Sequence, residues 1–435
     1  MPGVLNKKKS GGITFPPDWR EIGYSDTPKS TLEGFDYAKE IDANWDTYVH
    51  TYTEAFKDDY KLMYFPNMSY EKRYSMERCS RMFQNSNLEY FNSGLPHVQE
   101  LASTFANCRN LRYCKITDLE NTGINSINGL FTDCFLLEEV DINFDTLPSS
   151  VTQMTNLFSG CWNFKKISIN NPNIERADGA FQNTYMLNEA NITLNKCYNI
   201  SFYAAGKNSD KGCLFNVNIG SNASQGTFCT FENAKFNVED DNNTRSIKIY
   251  NCDSIQSAFK GTNINIDYDL LVHSRSGNTV NCSYAFENVF FTNGHKAGYH
   301  SEYSPIMEIN KIGNCNAMFK GTSGTVIDLS RVDFTAATSF QNMFKDSTVS
   351  TILFNINNPQ TCPLVTNMTD MFSGCNNLSN LSVNMILKFL STATAYSGTK
   401  TLSALGFTST YYPAADIQTM SNYSTFTAAG WSIGY

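Results

Sequence analysis

The sequence predicts an α/β repeat protein in which short strands from stacked coils form a parallel sheet, with a helical segment before the coils and a cap after them. Three observations predict this. A Phe recurs down the chain, apolar residues follow it at constant offsets, and the polar residues are those of turns rather than of solvated helices. Charged residues make up only 17% of the 435, and Asn, Ser and Thr fill much of the polar remainder, which favours short strands joined by many turns. Hydrophobic residues at 41% and aromatics at 13% are ample for a buried core.

The recurring step is a small, Met or Leu residue followed by Phe. It appears at Phe83, Phe105, Phe131, Phe158, Phe181, Phe259, Phe286, Phe319, Phe344 and Phe372, with Phe231 a weaker copy. Successive intervals are 22, 26, 27, 23, 50, 28, 27, 33, 25 and 28 residues, so the 50 reads as two units with a degraded copy between Phe202 and Phe215. About twelve repeats result.

A coil needs several inward positions, and these are regular too. Phe131 is followed by Cys134, Leu137, Val140 and Ile142; Phe158 by Cys161, Phe164, Ile167 and Ile169; Phe372 by Cys375, Leu378, Leu381 and Val383. The offsets of 3, 6, 9 and 11 describe a helical or 3₁₀ turn bearing the Phe, a corner lined by Cys, and a strand with alternate residues inward. Weaker copies keep the strand at Ile192/Leu194, Ile247/Ile249, Ile327/Leu329 and Ile352/Phe354. One coil cannot bury its own Phe, so neighbours must stack and close the core.

The run from Val365 through Asn367-Met368, Asp370-Met371-Phe372-Ser373-Gly374-Cys375 and Leu378 to Leu381 resembles the surface-protein repeat of the BspA-like leucine-rich-repeat family, and Thr155-Asn156-Leu157-Phe158-Ser159-Gly160-Cys161 is nearly as close. The resemblance implies a right-handed leucine-rich-repeat solenoid used for binding and display, with no catalytic residue to carry over. It weakens between residues 200 and 310, where copies drift and carry insertions. The repeat core is then expected at Phe105, Phe131, Cys134, Phe158, Cys161, Phe181, Phe259, Phe286, Phe319, Phe344, Phe372 and Cys375.

The boundaries fall at 1–60 for the N-terminal attachment segment, 61–385 for the solenoid and 386–435 for the cap. Thr27 as N-cap and Pro28 in the first turn start a helix that sets Leu32, Phe35, Ala38, Ile41 and Trp45 on about one face. With Trp19, these residues either cover the first coil, or plug into a partner or oligomerise. The pattern Asp18-Trp19-Arg20-Glu21-Ile22-Gly23-Tyr24, with Phe35-Asp36-Tyr37-Ala38, looks like the leader that precedes BspA-like repeats in proteins of tailed phages of gut bacteria. The cap, similar to that of the same family, is expected to hold a Leu-rich strand, a helix near 414–420 and a closing Gly430-Trp431 strand.

Several chemistries are excluded or disfavoured. The net charge of −8 has no basic block beyond Lys7-Lys8-Lys9, which argues against a nucleic-acid or anionic-membrane surface. No apolar run is long enough to span a membrane, and residues 1–19 do not read as a secretory signal. The thirteen cysteines show no Cys-x-x-Cys and lie near the Phe step, which marks them as small core residues rather than disulfides or zinc ligands. His50, His97, His273, His295 and His300 lack catalytic or metal-ligand spacing. Asp240-Asp241-Asn242-Asn243 lacks the Gly and terminal Glu of a calcium loop. Exposed tyrosines, Tyr411-Tyr412 in the cap and Tyr299/Tyr303 in an insertion, are the aromatic candidates for stacking on sugar or protein.

The expected function is non-enzymatic and without cofactor: a virion structural or fibre-type protein of a tailed phage, made in the host cytoplasm. The N-terminus would meet other virion proteins or further copies of the chain in a homo-oligomer, and the solenoid another virion protein or a host-surface glycan or protein. The alternative is a BspA-like adhesin or interaction protein at a bacterial cell surface.

Overall fold

A computed structural model describes residues 45, 47–65, 68–120, 122–237, 245–265, 268–292, 307–354 and 361–435. The coils stack into a solenoid whose strands all pair in parallel. The principal sheet runs through Lys166–Asn170, Glu189–Leu194, Leu214–Ile219, Arg245–Ser254, Tyr268–Ser274, Met307–Ile309 and Arg331–Val332. A separate three-stranded sheet, Tyr90–Gly94, Tyr113–Thr117 and Glu139–Asp141, precedes it. The strand residues expected at Ile327 and Ile352 pair with each other in a two-stranded sheet.

Register follows the inward residues. Ile169 lies opposite Ile192, Ile192 opposite Val217, and Val217 opposite Ile247, and all four are buried. A slip by one residue would turn every one of them to solvent, so burial specifies the pairing.

The core is organised around a ladder of Phe rings. Phe56, Phe83, Phe105, Phe131, Phe158, Phe181, Phe202, Phe231, Phe259, Phe286, Phe319, Phe344 and Phe372 stack one on the next with centroids 5.0–6.0 Å apart. The degraded copy resolves cleanly. Phe202 is the ladder ring, while Phe215 lies in a strand and meets Phe202 and Phe231 edge-on at 5.4 and 5.0 Å. The ladder is therefore unbroken through the region where the sequence pattern fades. It also takes in residues 51–60, placed by sequence in the attachment segment: Thr51 bridges Arg78, and Phe56 stacks on Phe83 at 5.6 Å.

The Phe-bearing corner differs from the expected helical or 3₁₀ turn. Bonds from i to i−3 do recur, as from Leu157 N–H to Met154 and from Cys161 N–H to Phe158. They alternate, however, with bonds to the next coil: the amides of Asn156, Phe158 and Gly160 donate to the carbonyls of Asp178, Ala180 and Gln182. The reason is backbone hand. Asn156 and Gly160, two residues before and after Phe158, have φ of 54° and 74°. The same left-handed pair flanks Phe105 at Ser103 and Asn107, and Phe344 at Asn342 and Asp346. A left-handed residue every fourth position stops any helix from propagating and turns alternate peptides parallel to the solenoid axis. These aligned peptides add as in a helix, with N–H groups aimed toward the C-terminal end.

That end is closed by the cap, where the Phe372 amide donates to the Leu405 carbonyl and the Phe407 ring meets Phe372 at 5.1 Å. The strand expected at Leu381 and Val383 is instead part of a helix, Asn380–Leu390, whose N-cap Ser379 accepts from the Ser382 amide. Helix geometry turns Leu381 outward and keeps Val383, Ile386, Leu387 and Leu390 inside. The expected Leu-rich strand shrinks to a bridge between Thr401 and Ser432 and a 3₁₀ turn, Ser403–Leu405. Helices at Ala414–Gln418 and Tyr423–Ala428 complete the cap.

Candidate binding surface

The position four residues after a ladder Phe faces outward, Gly206 after Phe202 excepted, because the +3 residue turns in to line the corner. Coils held in register therefore align their +4 side chains into a column. In six consecutive coils these are Tyr60, Asn87, Arg109, Phe135, Trp162 and Tyr185. The last four form a continuous strip. The Arg109 guanidinium lies over the Phe135 ring at 5.1 Å, Phe135 stacks on Trp162 at 4.2 Å, and Trp162 meets Tyr185 at 6.1 Å. Trp162 is 47% exposed, unlike the fully buried Phe158 beside it in sequence. The backbone beneath is rigid: Asn163, Met186 and Asn208 amides donate to the carbonyls of Phe135, Trp162 and Tyr185.

At its N-terminal end the strip runs into a polar groove of about 320 Å³ lined by Tyr60, Asn85, Ser86, Asn87, Asn107 and Arg109. Its walls are amides and hydroxyls, and Arg109 is the lining residue with a formal charge. Asn110 donates to Asn87 Oδ1 at 2.9 Å and Asn85 donates to Asp58 at 2.8 Å, so the amides are oriented before any ligand arrives. A second, wholly apolar void of about 10 Å³ between Phe236, Phe259 and Phe286 is no larger than a single water and lacks polar partners.

Phe105, Phe131, Phe158, Phe181, Phe259, Phe286, Phe319, Phe344 and Phe372 are buried ladder rings. Cys134, Cys161 and Cys375 line the corner, each thiol donating to the preceding coil's Phe carbonyl at 2.7–3.0 Å. All thirteen cysteines are free and buried. Burial pushes the Cys375 and Cys108 thiols up to about 12, so neither is a nucleophile near neutral pH.

Of the attachment residues, Trp19, Leu32, Phe35 and Ile41 lie outside the described residues. Trp45 packs on the first coil: it stacks on Tyr52 at 4.4 Å and donates to Ser75 Oγ. His50 pairs with Glu77 and His273 with Glu308, and the His97 ring meets Tyr74 at a tilt. His295, His300, Tyr299, Tyr303 and residues 240–243 lie outside the described residues. Tyr411 is exposed, whereas Tyr412 is buried in the cap. Among the described residues no group of three or more His, Cys, Asp or Glu could hold a metal, and no helix is long and apolar enough to cross a membrane.

Sequence reasoning followed the inward offsets and sought exposed aromatics in insertions, so it missed Phe135, Trp162 and Tyr185. Their signal was present: aligning coils on the Phe and reading the +4 position across coils lines them up.

A family described as a Mycoplasma protein of unknown function, DUF285, matches residues 99–203 and 307–385. Together with the parallel-stranded solenoid, the match is consistent with a BspA-like repeat protein. The gap between the matched segments spans the drifted coils that the Phe ladder crosses. No curated protein and no solved structure matches the chain.

Proposed function

We propose that the chain is a non-enzymatic structural protein of a tailed-phage particle, of fibre type, anchored through its N-terminal segment and using the solenoid to contact another protein or the host surface. The binding half of this reading is carried by the strip from Arg109 to Tyr185, an aromatic surface on rigid coils that serves no packing need of the core. The virion half rests on the leader-like residues around Trp19 and Phe35. A continuous ladder from Phe56 to Phe372 suits a stiff element that holds a binding surface away from its anchor.

The matched family's description, which names Mycoplasma, favours a second reading: an adhesin or interaction protein of a bacterial cell. Mass spectrometry of purified particles separates the two. The first reading expects peptides of this chain at levels comparable to other structural proteins of the particle. Their absence from particles, with recovery in the bacterial surface fraction, would establish the second instead.

A further inference from the structure

The strip and the groove beside it carry a more specific reading. We infer that Arg109, Phe135, Trp162 and Tyr185, with the groove around Asn87, form a binding site for an extended acidic glycan, its sugars lying along the outward edges of the stacked rings and a carboxylate meeting Arg109. This inference rests on the solenoid being a binding element, and names what its surface binds.

Four observations support the assignment. First, Phe135 and Trp162 stack face to face, so the strip turns a run of ring edges to solvent, and with Trp162 47% exposed these edges offer apolar area to the C–H groups of sugar rings laid along the axis. Second, the adjoining groove presents Asn85, Asn87, Asn107, Ser86 and Tyr60, groups that both donate and accept and therefore match hydroxyls. Third, charge selects the acid. Arg109 is the groove-lining residue with a formal charge, and among the described residues its recorded partner is the Phe135 ring, with no carboxylate in ion-pair range. Other cations on the solenoid are neutralised across coils, as Lys260 and Lys320 are by Glu287 and Lys166 is by Glu189, or turn to backbone carbonyls, as Lys235 and Lys311 do. An unpaired guanidinium with a planar fork fits a carboxylate. Fourth, the rings are held by coil-to-coil backbone bonds, so little ordering cost attends binding.

The test uses the full chain and calorimetric titration with hexameric oligogalacturonate, its methyl ester, α2,8-linked sialic acid hexamer, polyacrylate and a polyproline peptide. An acidic hexamer should bind, and the methyl ester should bind more weakly than its parent acid. Trp162→Ala should weaken binding about tenfold, while Trp162→Phe, which keeps a ring, should restore most of it. Arg109→Gln should abolish the preference for acid over ester. Thermal melts of these surface variants should match the parent, which separates lost binding from lost fold.

Failure of both acidic hexamers to bind overturns the inference. Equal binding of acid and ester removes the role of Arg109, and equal binding of polyacrylate with no effect of Trp162→Ala reduces the site to a charged patch; either result also overturns it. Binding of polyproline in preference to the glycans would make the strip a peptide surface. None of these outcomes bears on whether the chain is found in purified particles, so the two readings fail separately.

Discussion

The Cys134 thiol donates to the carbonyl of Phe105, one coil back, at 3.0 Å. The relationship repeats as Cys108 to Phe83, Cys161 to Phe131 and Cys375 to Phe344. In the coil between Phe181 and Phe202 a Thr takes the corner, Thr184 donating to its own coil's Phe181 carbonyl at 2.8 Å. The corner takes a small side chain, Ala205, Ala234 and Val289 filling it without any donor, and Cys adds a weak donor at little desolvation cost.

Because every thiol is buried, none should react with a thiol reagent in the native protein at neutral pH, and all thirteen should react once the chain unfolds. Titration with an aromatic disulfide before and after denaturant checks this. A native count of two or more would place cysteines outside the core.

The same burial sets a pH dependence. Desolvation raises the folded-state thiols above their ordinary value of 9.0, to about 12 for Cys108, Cys252, Cys362 and Cys375. Below pH 9 folded and unfolded chains both hold the proton, and this contribution is fully present. Above it the unfolded chain ionises first, so stability falls as pH rises from about 9 toward about 12, by about 1.4 kcal/mol per thiol for each pH step. Urea midpoints measured from pH 7 to 11 should be flat at first and then drop steeply. A flat profile to pH 11 would contradict the burial.

The ring ladder makes a sharper prediction, because each coil leans only on its neighbours. Phe231→Ala removes a ring held at 5.0 Å from Phe202 and 5.3 Å from Phe259, with an expected cost of about 3–5 kcal/mol. Located mid-array, the defect should also split unfolding into two transitions. Phe290, 49% exposed at a +4 position, is the control: Phe290→Ala should cost about 0.5 kcal/mol or less and keep one transition. Circular dichroism during urea unfolding distinguishes the two variants.

The periodic Phe and its +3 and +6 followers were legible because they face one direction at every coil, and Phe158 with Cys161, Phe164, Ile167 and Ile169 meets the whole pattern. The corner's backbone hand was not legible. Residues with positive φ include Asn156 and Asp133 but also Ser103, Ala317 and Tyr284, which carry no left-handed signature. There the stack of interstrand bonds overrides local preference. Leu381 was misplaced for a related reason: spacing of 9 and 11 after Phe372 fits a strand, but Ser379 caps a helix that begins one residue earlier, at Asn380. The aromatic strip was hidden because it is periodic between coils and not within any one of them.

Two glycines with positive φ should differ in tolerance. A Cβ on Gly160 would meet the Asp133 carboxylate, a side chain that can move aside; on Gly406, with φ of 99°, it would overlap the Ser373 backbone. Both alanine variants carry the left-handed cost of about 1–2 kcal/mol, and Gly406→Ala adds a clash that only movement of the cap relieves. Gly406→Ala should therefore have the lower melting temperature of the pair. Equal melting temperatures would show that the cap is not tightly seated on the last coil.

The cap also depends on one hydroxyl. Tyr412 Oη donates to the Cys375 carbonyl and accepts from the Leu378 amide at 3.0 Å, bridging two backbone groups where the last corner leaves the solenoid path for the helix Asn380–Leu390. Burial raises the Tyr412 hydroxyl to about 12, so it keeps its proton throughout the ordinary range and can serve both partners. Tyr412→Phe preserves the ring packed on Phe407 at 4.9 Å but strands both backbone groups, each costing about 1–3 kcal/mol when left unsatisfied. Hydrogen exchange at the Leu378 amide should accelerate markedly in this variant, while exchange at Phe158, in a coil far from the cap, stays unchanged because neighbours alone transmit the defect. Acceleration at both sites would mean that the cap governs the whole array as a single cooperative unit.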